Sequence, residues 1–163
     1  MQYKQLGKSD LKVSEVGFGV WTVATNWWGK IEPEDGVKLL QDAFELGVTL
    51  FDTADTYSDG FGEEILAKAL AEHRKEVVYA TKFGYDIYDT TPREGHKERT
   101  QKFEPEFIRY ACEQSLRRLK TDYIDLYQLH NPRVTAIQRD DVFATLEDLI
   151  AEGKIRYYGA ALG

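Results

Sequence analysis

The chain has 163 residues, of which 42% are hydrophobic and 30% are charged. These values are typical of one soluble domain with a sizeable buried core. Its 21 basic and 28 acidic residues give a formal charge of −7, which argues against broad binding to nucleic acids or anionic membranes, because a polyanion repels an acidic protein.

The cysteine content and the first residues indicate a reducing compartment. A single cysteine, Cys112, excludes an internal disulfide and a cysteine-rich metal site. The opening Met1–Gln5 lacks the apolar stretch of a signal peptide, and no apolar run approaches the length of a membrane span. We therefore expect a cytoplasmic protein with no membrane partner.

The predicted elements begin with a small hairpin, in which residues 2–6 and 11–13 flank a turn at Gly7–Asp10. A short apolar segment over 16–20 predicts a first strand. From there the apolar residues alternate between helical spacing and short buried runs. In chain order, this pattern predicts a helix over 33–46, a strand over 48–51, a helix over 63–71, a strand over 77–80, a polar loop over 83–103, a helix over 105–119, a strand over 123–127, a helix over 142–151 and a strand over 155–160.

Strands that alternate with helices predict right-handed βαβ units and a parallel sheet, and hence an α/β fold. Periodicity alone leaves two architectures open, an open doubly wound sheet or part of a (β/α) barrel. A complete eight-stranded barrel needs about 200 residues at least. The five strands predicted here are too few to close a barrel.

Ionisable residues fall where three successive predicted strands end. Asp52 follows the second strand and precedes Tyr57, Lys82 follows the third strand, and His130 follows the fourth. Each residue alone is typical of a turn, a helix cap or a solvated loop. In parallel α/β folds, however, the carboxyl ends of the strands meet at one rim, so we expect these side chains to lie together.

Together these side chains suit proton donation to a carbonyl group. A tyrosine is a poor acid at neutral pH, with a pKa of about 10, unless a neighbouring cation favours its phenolate. Lys82 supplies such a cation, Asp52 would hold it in place, and His130 would orient the carbonyl oxygen. This chemistry needs no metal, and His73, His96 and His130 show no close-spaced ligand pairing.

Motifs for other chemistries are missing from the sequence. It contains no Gly-x-Ser-x-Gly, no Walker sequence and no Gly-x-Gly-x-x-Gly, and Gly17-x-Gly19 lacks a third glycine. Nucleophilic hydrolysis and a Rossmann-type phosphate turn are therefore disfavoured.

The residues resemble the amino-terminal half of an aldo-keto reductase along essentially the whole chain. The most specific segment is Phe51-Asp52-Thr53-Ala54-Asp55-Thr56-Tyr57. The other matching segments, in order, are Leu6-Gly7, Leu11-Lys12-Val13-Ser14, Gly17-x-Gly19-x-Trp21, Gly62-Glu63-x-x-Leu66-x-x-Ala69-Leu70, Thr81-Lys82, Leu119-x-x-Asp122-Tyr123-Ile124-Asp125-Leu126-Tyr127-Gln128-Leu129-His130 and Gly153-Lys154-Ile155-Arg156.

The resemblance implies a (β/α)8 TIM-barrel enzyme that reduces aldehydes or ketones with NADPH, and residues 1–163 would be the amino-terminal portion of one barrel domain. By motif matching, Asp52, Tyr57, Lys82 and His130 take the four catalytic positions. Tyr57 would be the general acid, with Lys82 and Asp52 as its tuning partners and His130 as the carbonyl-orienting group. The cofactor would carry the redox chemistry.

The resemblance also implies contacts for the cofactor and the substrate. Gly19, Val20, Trp21 and Asp52 match positions that line the cofactor. Trp21, Trp27, Trp28 and His130 are candidate walls of an apolar pocket for a small carbonyl substrate. For Trp27 and Trp28, hydrophobic cover over the barrel rim is an equally good interpretation. The 83–103 stretch matches a variable loop that shapes substrate choice, and most of its residues are expected at the surface.

Two departures from the family pattern stand out. After the last predicted strand the family commonly has Gly-x-Ser-Asn, whereas this chain has Gly159-Ala160-Ala161-Leu162, which offers no polar side chain to a nicotinamide. The family's later strands and its cofactor phosphate sites would lie after Gly163. Two alternatives to an active reductase follow: a non-enzymatic regulatory subunit of a channel-type complex, and a half-barrel whose exposed sheet edges pair with a second copy.

Overall fold

The amino-terminal hairpin lies under one end of the main sheet. The structure is a computed structural model that describes residues 1–27, 29–92 and 98–162. Strand β1 (Tyr3–Gln5) pairs antiparallel with β2 (Lys12–Ser14). Leu11 and Val13 are buried and pack against Val78 of the main sheet, so the hairpin closes the core at the end where the strands begin.

Five parallel strands form the main sheet, and they lie side by side in the order in which they occur along the chain. They are β3 (Phe18–Gly19), β4 (Leu50–Asp52), β5 (Val78–Phe83), β6 (Ile124–His130) and β7 (Ile155–Ala161). An open doubly wound sheet reverses its strand order at a switch point, whereas a barrel does not. The observed order therefore resolves the two architectures that periodicity left open, in favour of part of a (β/α) barrel.

Helices connect the strands, and the four long ones confirm the prediction to within a few residues. The described helices are α1 (Trp21–Ala24), α2 (Pro33–Glu45), α3 (Phe61–Leu70), a 3-10 turn at Ala71–His73, α4 (Pro105–Leu119), α5 (Val134–Ile137) and α6 (Asp140–Ala151). Both α2 and α4 begin with a proline at the first helical turn, where its fixed φ is favourable. The four-residue helices α1 and α5 are too short to leave a periodic signal.

The two faces of the sheet differ in burial. Along β6, Asp125, Tyr127 and Leu129 are buried, whereas Leu126, Gln128 and His130 are half-buried. Tyr127 stacks on Phe83 of β5 with ring centroids 4.3 Å apart, inside the apolar layer between the sheet and the helices. The half-buried side chains, His130 among them, therefore occupy the concave face of the sheet.

The segment after β5 is buried where it leaves the strand. Residues 84–87 are buried, whereas residues 89–92 are exposed, and Tyr85 forms a bridge with Gln101. Tyr85 is held there because its ring packs edge-on against the His130 ring, with centroids 5.2 Å apart. The first part of the 83–103 loop is thus a wall of the rim where β5 and β6 end.

A buried ion cluster joins strands at the opposite end of the sheet. The Asp125 carboxylate is 1% exposed and accepts bonds from the backbone N–H of Tyr79 at 3.0 Å and from Arg156 at 2.9 Å. It also pairs with Arg74 at 2.8 Å, and that guanidinium lies over the rings of Tyr79 and Tyr123. Removing the carboxylate would leave two cations without a buried counter-charge.

We expect Asp125→Ala to lower the free energy of unfolding of the chain by about 3–5 kcal/mol, because one partner of a buried pair is removed and the other stays. The matched control is Asp148→Ala, since Asp148 also pairs with an arginine, Arg109 at 2.8 Å, but is 65% exposed. That control should cost about 1 kcal/mol or less. Urea unfolding followed by circular dichroism measures both, and equal losses would contradict a special role for the buried cluster.

Candidate active site

The four residues predicted to be catalytic, Asp52, Tyr57, Lys82 and His130, lie together at the rim where the strands end. The strand register places Gly19 beside Asp52, and Lys82 beside Gln128. His130 is the last residue of β6. The expected convergence of polar side chains at one edge of the sheet follows directly from this parallel register.

Lys82 is the centre of the site. Its side chain is buried, and its ammonium nitrogen lies 2.5 Å from Oδ1 of Asp52, 2.7 Å from the carbonyl oxygen of Thr53 and 3.2 Å from the hydroxyl of Tyr57. An ammonium group has three hydrogens to donate, and these contacts use all three. The ion pair with Asp52 offsets the cost of burying the charge.

Tyr57 is held by the turn between β4 and α3. Its carbonyl accepts a bond from the backbone N–H of Gly62 at 3.0 Å. A Cβ at Gly62 would lie 2.9 Å from Cβ of Tyr57 and 2.8 Å from the hydroxyl of Thr53, so only glycine permits this approach. The first turn of α3 therefore sets how far Tyr57 lies from Lys82.

His130 faces Tyr57 across the rim. The two rings are nearly perpendicular, with centroids 6.0 Å apart, and the hydroxyl of Thr56 lies 3.4 Å from Nδ1 of His130. Burial, helped by the nearby Lys82 charge, lowers the pKa of His130 from 6.5 to about 4. The imidazole is therefore neutral at physiological pH.

Gln128, Thr56 and Tyr85 complete the site and were missed in the sequence. The side-chain amide of Gln128 donates to Oδ2 of Asp52 at 3.4 Å, the carboxylate oxygen that Lys82 does not contact. Gln128 lies two residues before His130 on one strand, so the period-two rule gave a signal that both side chains share a face. Thr56 and Tyr85 carried no comparable signal, because turn geometry places them.

A second buried polar group lies behind the rim. Glu63 of α3 is fully buried and accepts bonds from the hydroxyl of Thr81 and from Arg118, both at 2.6 Å. Asp55 is also fully buried nearby, and burial together with the Glu63 charge raises its pKa well above the usual value. This group ties α3 to the residue that precedes Lys82.

Three of the residues predicted to line the cofactor, Gly19, Val20 and Trp21, lie at the end of β3. Gly19 is the last residue of that strand, and the space that a Cβ would occupy there is open. Val20 is buried, and its backbone N–H donates to the carbonyl of Asp52 at 2.8 Å. Trp21 begins α1 and contacts Trp27, with ring centroids 5.9 Å apart. Trp27 is 77% exposed. The prediction for Trp28 lies outside the described residues.

The described residues contain neither a cluster of metal ligands nor a helix that could span a membrane. Over residues 1–27, 29–92 and 98–162, no group of three or more His, Cys, Asp or Glu side chains could hold a metal ion. Over the same ranges, no helix is long and apolar enough to cross a membrane.

The sequence matches one protein family over most of its length. The sequence model of the Aldo/keto reductase family matches residues 15–161. The uncharacterized oxidoreductase YqkF of Bacillus subtilis (strain 168) is 40% identical over 159 residues, which cover 98% of this chain and 48% of that protein. The 6-dehydroglucose reductase of Novosphingobium aromaticivorans is 35% identical over 168 residues, covering 98% of this chain and 51% of that protein.

Solved structures of the same family share the fold. The holo form of the aldo-keto reductase AKR11C1 from Bacillus halodurans superposes with a TM-score of 0.85 at 36% identity, covering 99% of this chain and 50% of that one. These neighbours confirm the predicted TIM-barrel class. The chain spans about half the length of the relatives it matches.

We expect the His130 imidazole to stay neutral from about pH 8 to about pH 5 and to take up a proton only near pH 4. Long-range proton–nitrogen NMR spectra of the imidazole rings measure this directly. His130→Gln identifies the signal by its loss. A midpoint near the ordinary value of 6.5 would contradict the buried, Lys82-facing environment.

The lowered pKa of His130 also makes the stability of the fold depend on pH. Between about pH 6.5 and pH 4, the unfolded chain binds a proton at His130 and the folded chain does not. The stability that neutral His130 contributes is therefore complete above pH 6.5 and is lost as the pH falls toward 4. Urea unfolding at several pH values should therefore show a smaller loss of stability on acidification in His130→Gln than in the parent.

Proposed function

Because this chain belongs to the aldo/keto reductase family, we propose that it carries the proton-donating half of an NADPH-dependent carbonyl reductase. The observation that supports this most is the ammonium of Lys82, which contacts both the Asp52 carboxylate and the hydroxyl of Tyr57. The substrate would be an aldehyde or ketone that is reduced to an alcohol. The relatives named as reductases and oxidoreductases favour the same class of reaction.

Tyr57 is the proton donor in this proposal. When a carbonyl carbon is reduced, negative charge develops on its oxygen, and that oxygen must take a proton. The Tyr57 hydroxyl supplies that proton and becomes a phenolate. The ammonium of Lys82 lies 3.2 Å from the same oxygen, so it stabilises the phenolate as it forms.

Asp52 acts through Lys82. Its carboxylate accepts a bond from the buried ammonium at 2.5 Å and so fixes the direction in which that group points. The Gln128 amide, 3.4 Å from the second carboxylate oxygen, holds Asp52 in turn. Asp52 is thus a positioning residue rather than a proton donor.

His130 orients the carbonyl oxygen. Burial and Lys82 hold its pKa near 4, so the ring is neutral and carries one N–H donor. A neutral donor fixes the oxygen beside Tyr57 without adding a second positive charge next to Lys82. Its perpendicular packing against Tyr57 and Tyr85 keeps the ring in place.

The rim offers room for a nicotinamide cofactor, which supplies the hydride when bound. Gly19 leaves open space at the end of β3, and the neighbouring Trp21 presents an aromatic side chain. We propose that Gly19, Val20, Trp21 and Asp52 line the ring. Ala161 and Leu162 at the end of β7 add no polar side chain, so a carboxamide there would depend on backbone groups or on Gln128.

We expect Tyr57→Phe to lower carbonyl reduction about 100-fold or more while NADPH binding stays nearly unchanged, because the ring remains and only the proton donor is lost. Turnover is measured in a fusion of this chain to the carboxyl-terminal half of the Bacillus halodurans reductase. NADPH binding is measured in the same fusion by quenching of tryptophan emission, with NADH for comparison.

The matched control is Tyr110→Phe, which removes a tyrosine hydroxyl from a half-exposed position on α4. It should leave both turnover and binding unchanged. Equal turnover in the two variants would overturn the assignment of Tyr57 as the proton donor.

A further inference from the structure

A groove beside the candidate active site carries an excess of arginine. It has a volume of about 580 Å³ and lies between the segment that leads into α4 and the segment that leads into α6. Phe103 and Ala136 are buried residues in its lining, and Arg99, Arg133 and Arg139 are the cations that border it. Small-molecule sites commonly have volumes of about 300–1,000 Å³.

The charges around the groove leave one arginine without a counter-ion. Arg99 pairs with Asp59, and Arg139 pairs with Asp141 at 2.7 Å and with Glu104 at 3.6 Å. Within the described ranges, no acidic side chain pairs with the Arg133 guanidinium. An unpaired cation in a chain of charge −7 is open to an anion from outside the protein.

The groove shares a wall with the carbonyl site. Gln101 lines the groove, and its side-chain amide donates to the backbone carbonyls of His130 at 3.2 Å and Asn131 at 2.9 Å. Glu98, which also borders the groove, accepts a bond at 2.6 Å from the hydroxyl of Tyr85, the ring that packs on His130. A molecule bound in the groove therefore lies one side chain away from His130.

We propose that this groove binds an anionic end of the carbonyl substrate, a carboxylate or a phosphate, through Arg133 with support from Arg139. The inference rests on the proposed function, because it names the class of carbonyl that the site would take. A planar guanidinium forms two parallel bonds to an oxoanion, which fixes direction as well as distance. The substrate would then be anchored at one end while its carbonyl reaches Tyr57 and His130 at the other.

The test is an NMR titration of the chain at constant ionic strength, following the side-chain N–H signals of arginine. Succinate and inorganic phosphate are the two probes, and the probe with the higher affinity identifies the anion. We expect saturable shifts, and an affinity that is about tenfold weaker in Arg133→Gln. The matched control is Arg117→Gln, an exposed arginine on α4 outside the groove, which should bind as the parent does.

Three outcomes would overturn the proposal. Equal affinities in Arg133→Gln and Arg117→Gln would mean that the anions respond only to net charge. Shifts that do not saturate would mean that there is no site. Displacement of succinate by NADPH, measured in the fusion protein, would assign the groove to a cofactor phosphate rather than to a substrate.

A second measurement separates this proposal from the proposed function. In the fusion protein, succinic semialdehyde should be reduced with a lower KM than butanal, an uncharged aldehyde of the same carbon count, and Arg133→Gln should remove that difference while the KM for butanal stays unchanged. Equal KM values in the parent would overturn the anionic substrate. Loss of turnover with both aldehydes would overturn the proposed function, while the anion titration would still decide whether the groove is a site.

Discussion

The arrangement of the rim depends on the burial of one ammonium group. Lys82 is 6% exposed, and an isolated charge in such a place would be strongly unfavourable. Its three donors are satisfied by Asp52 of β4, by the carbonyl of Thr53 and by Tyr57 in the turn that follows. A shift in the register of β4 against β5 would break all three contacts at once. The constraint that stabilises the charge therefore also assembles the candidate proton donor.

Support for this assembly comes from the helix behind it. Thr81 and Lys82 are adjacent on β5 and point to opposite faces, so Lys82 faces the rim while Thr81 donates to the buried Glu63 of α3. The first turn of the same helix contains Gly62, whose close approach fixes Tyr57. One helix thus holds both the strand that carries the lysine and the turn that carries the tyrosine. The polar group around Glu63 therefore stabilises the position of the site residues, although it contacts none of the candidate catalytic atoms.

Sequence patterns predicted the elements well where the pattern is strong. Helix α4 has the predicted bounds, because a proline marks its start and its apolar spacing continues to its end. The ends of β5 and β6 were predicted three residues too early, since polar residues, Thr81 and Lys82 in β5 and Gln128 in β6, interrupt the apolar runs before the strands end. Gln128 was missed because it follows the predicted end of β6, although its spacing from His130 indicated a shared face. Tyr85 could not be predicted at all, because its position depends on a loop that folds inward onto His130.

The two basic groups of the site, Lys82 and His130, lie in different electrostatic environments. Lys82 and His130 lie at one rim, and in the part of the chain that the structure describes, the carboxylate paired with Lys82 is that of Asp52. The carboxylate contacts the lysine ammonium, while burial, helped by the nearby Lys82 charge, lowers the pKa of the histidine and keeps it neutral. The second oxygen of Asp52 meets the uncharged amide of Gln128 rather than another cation. Tyr57 is consequently flanked by one cation, which stabilises a phenolate, and by one neutral ring, which can hold an oxygen in place without competing for the proton.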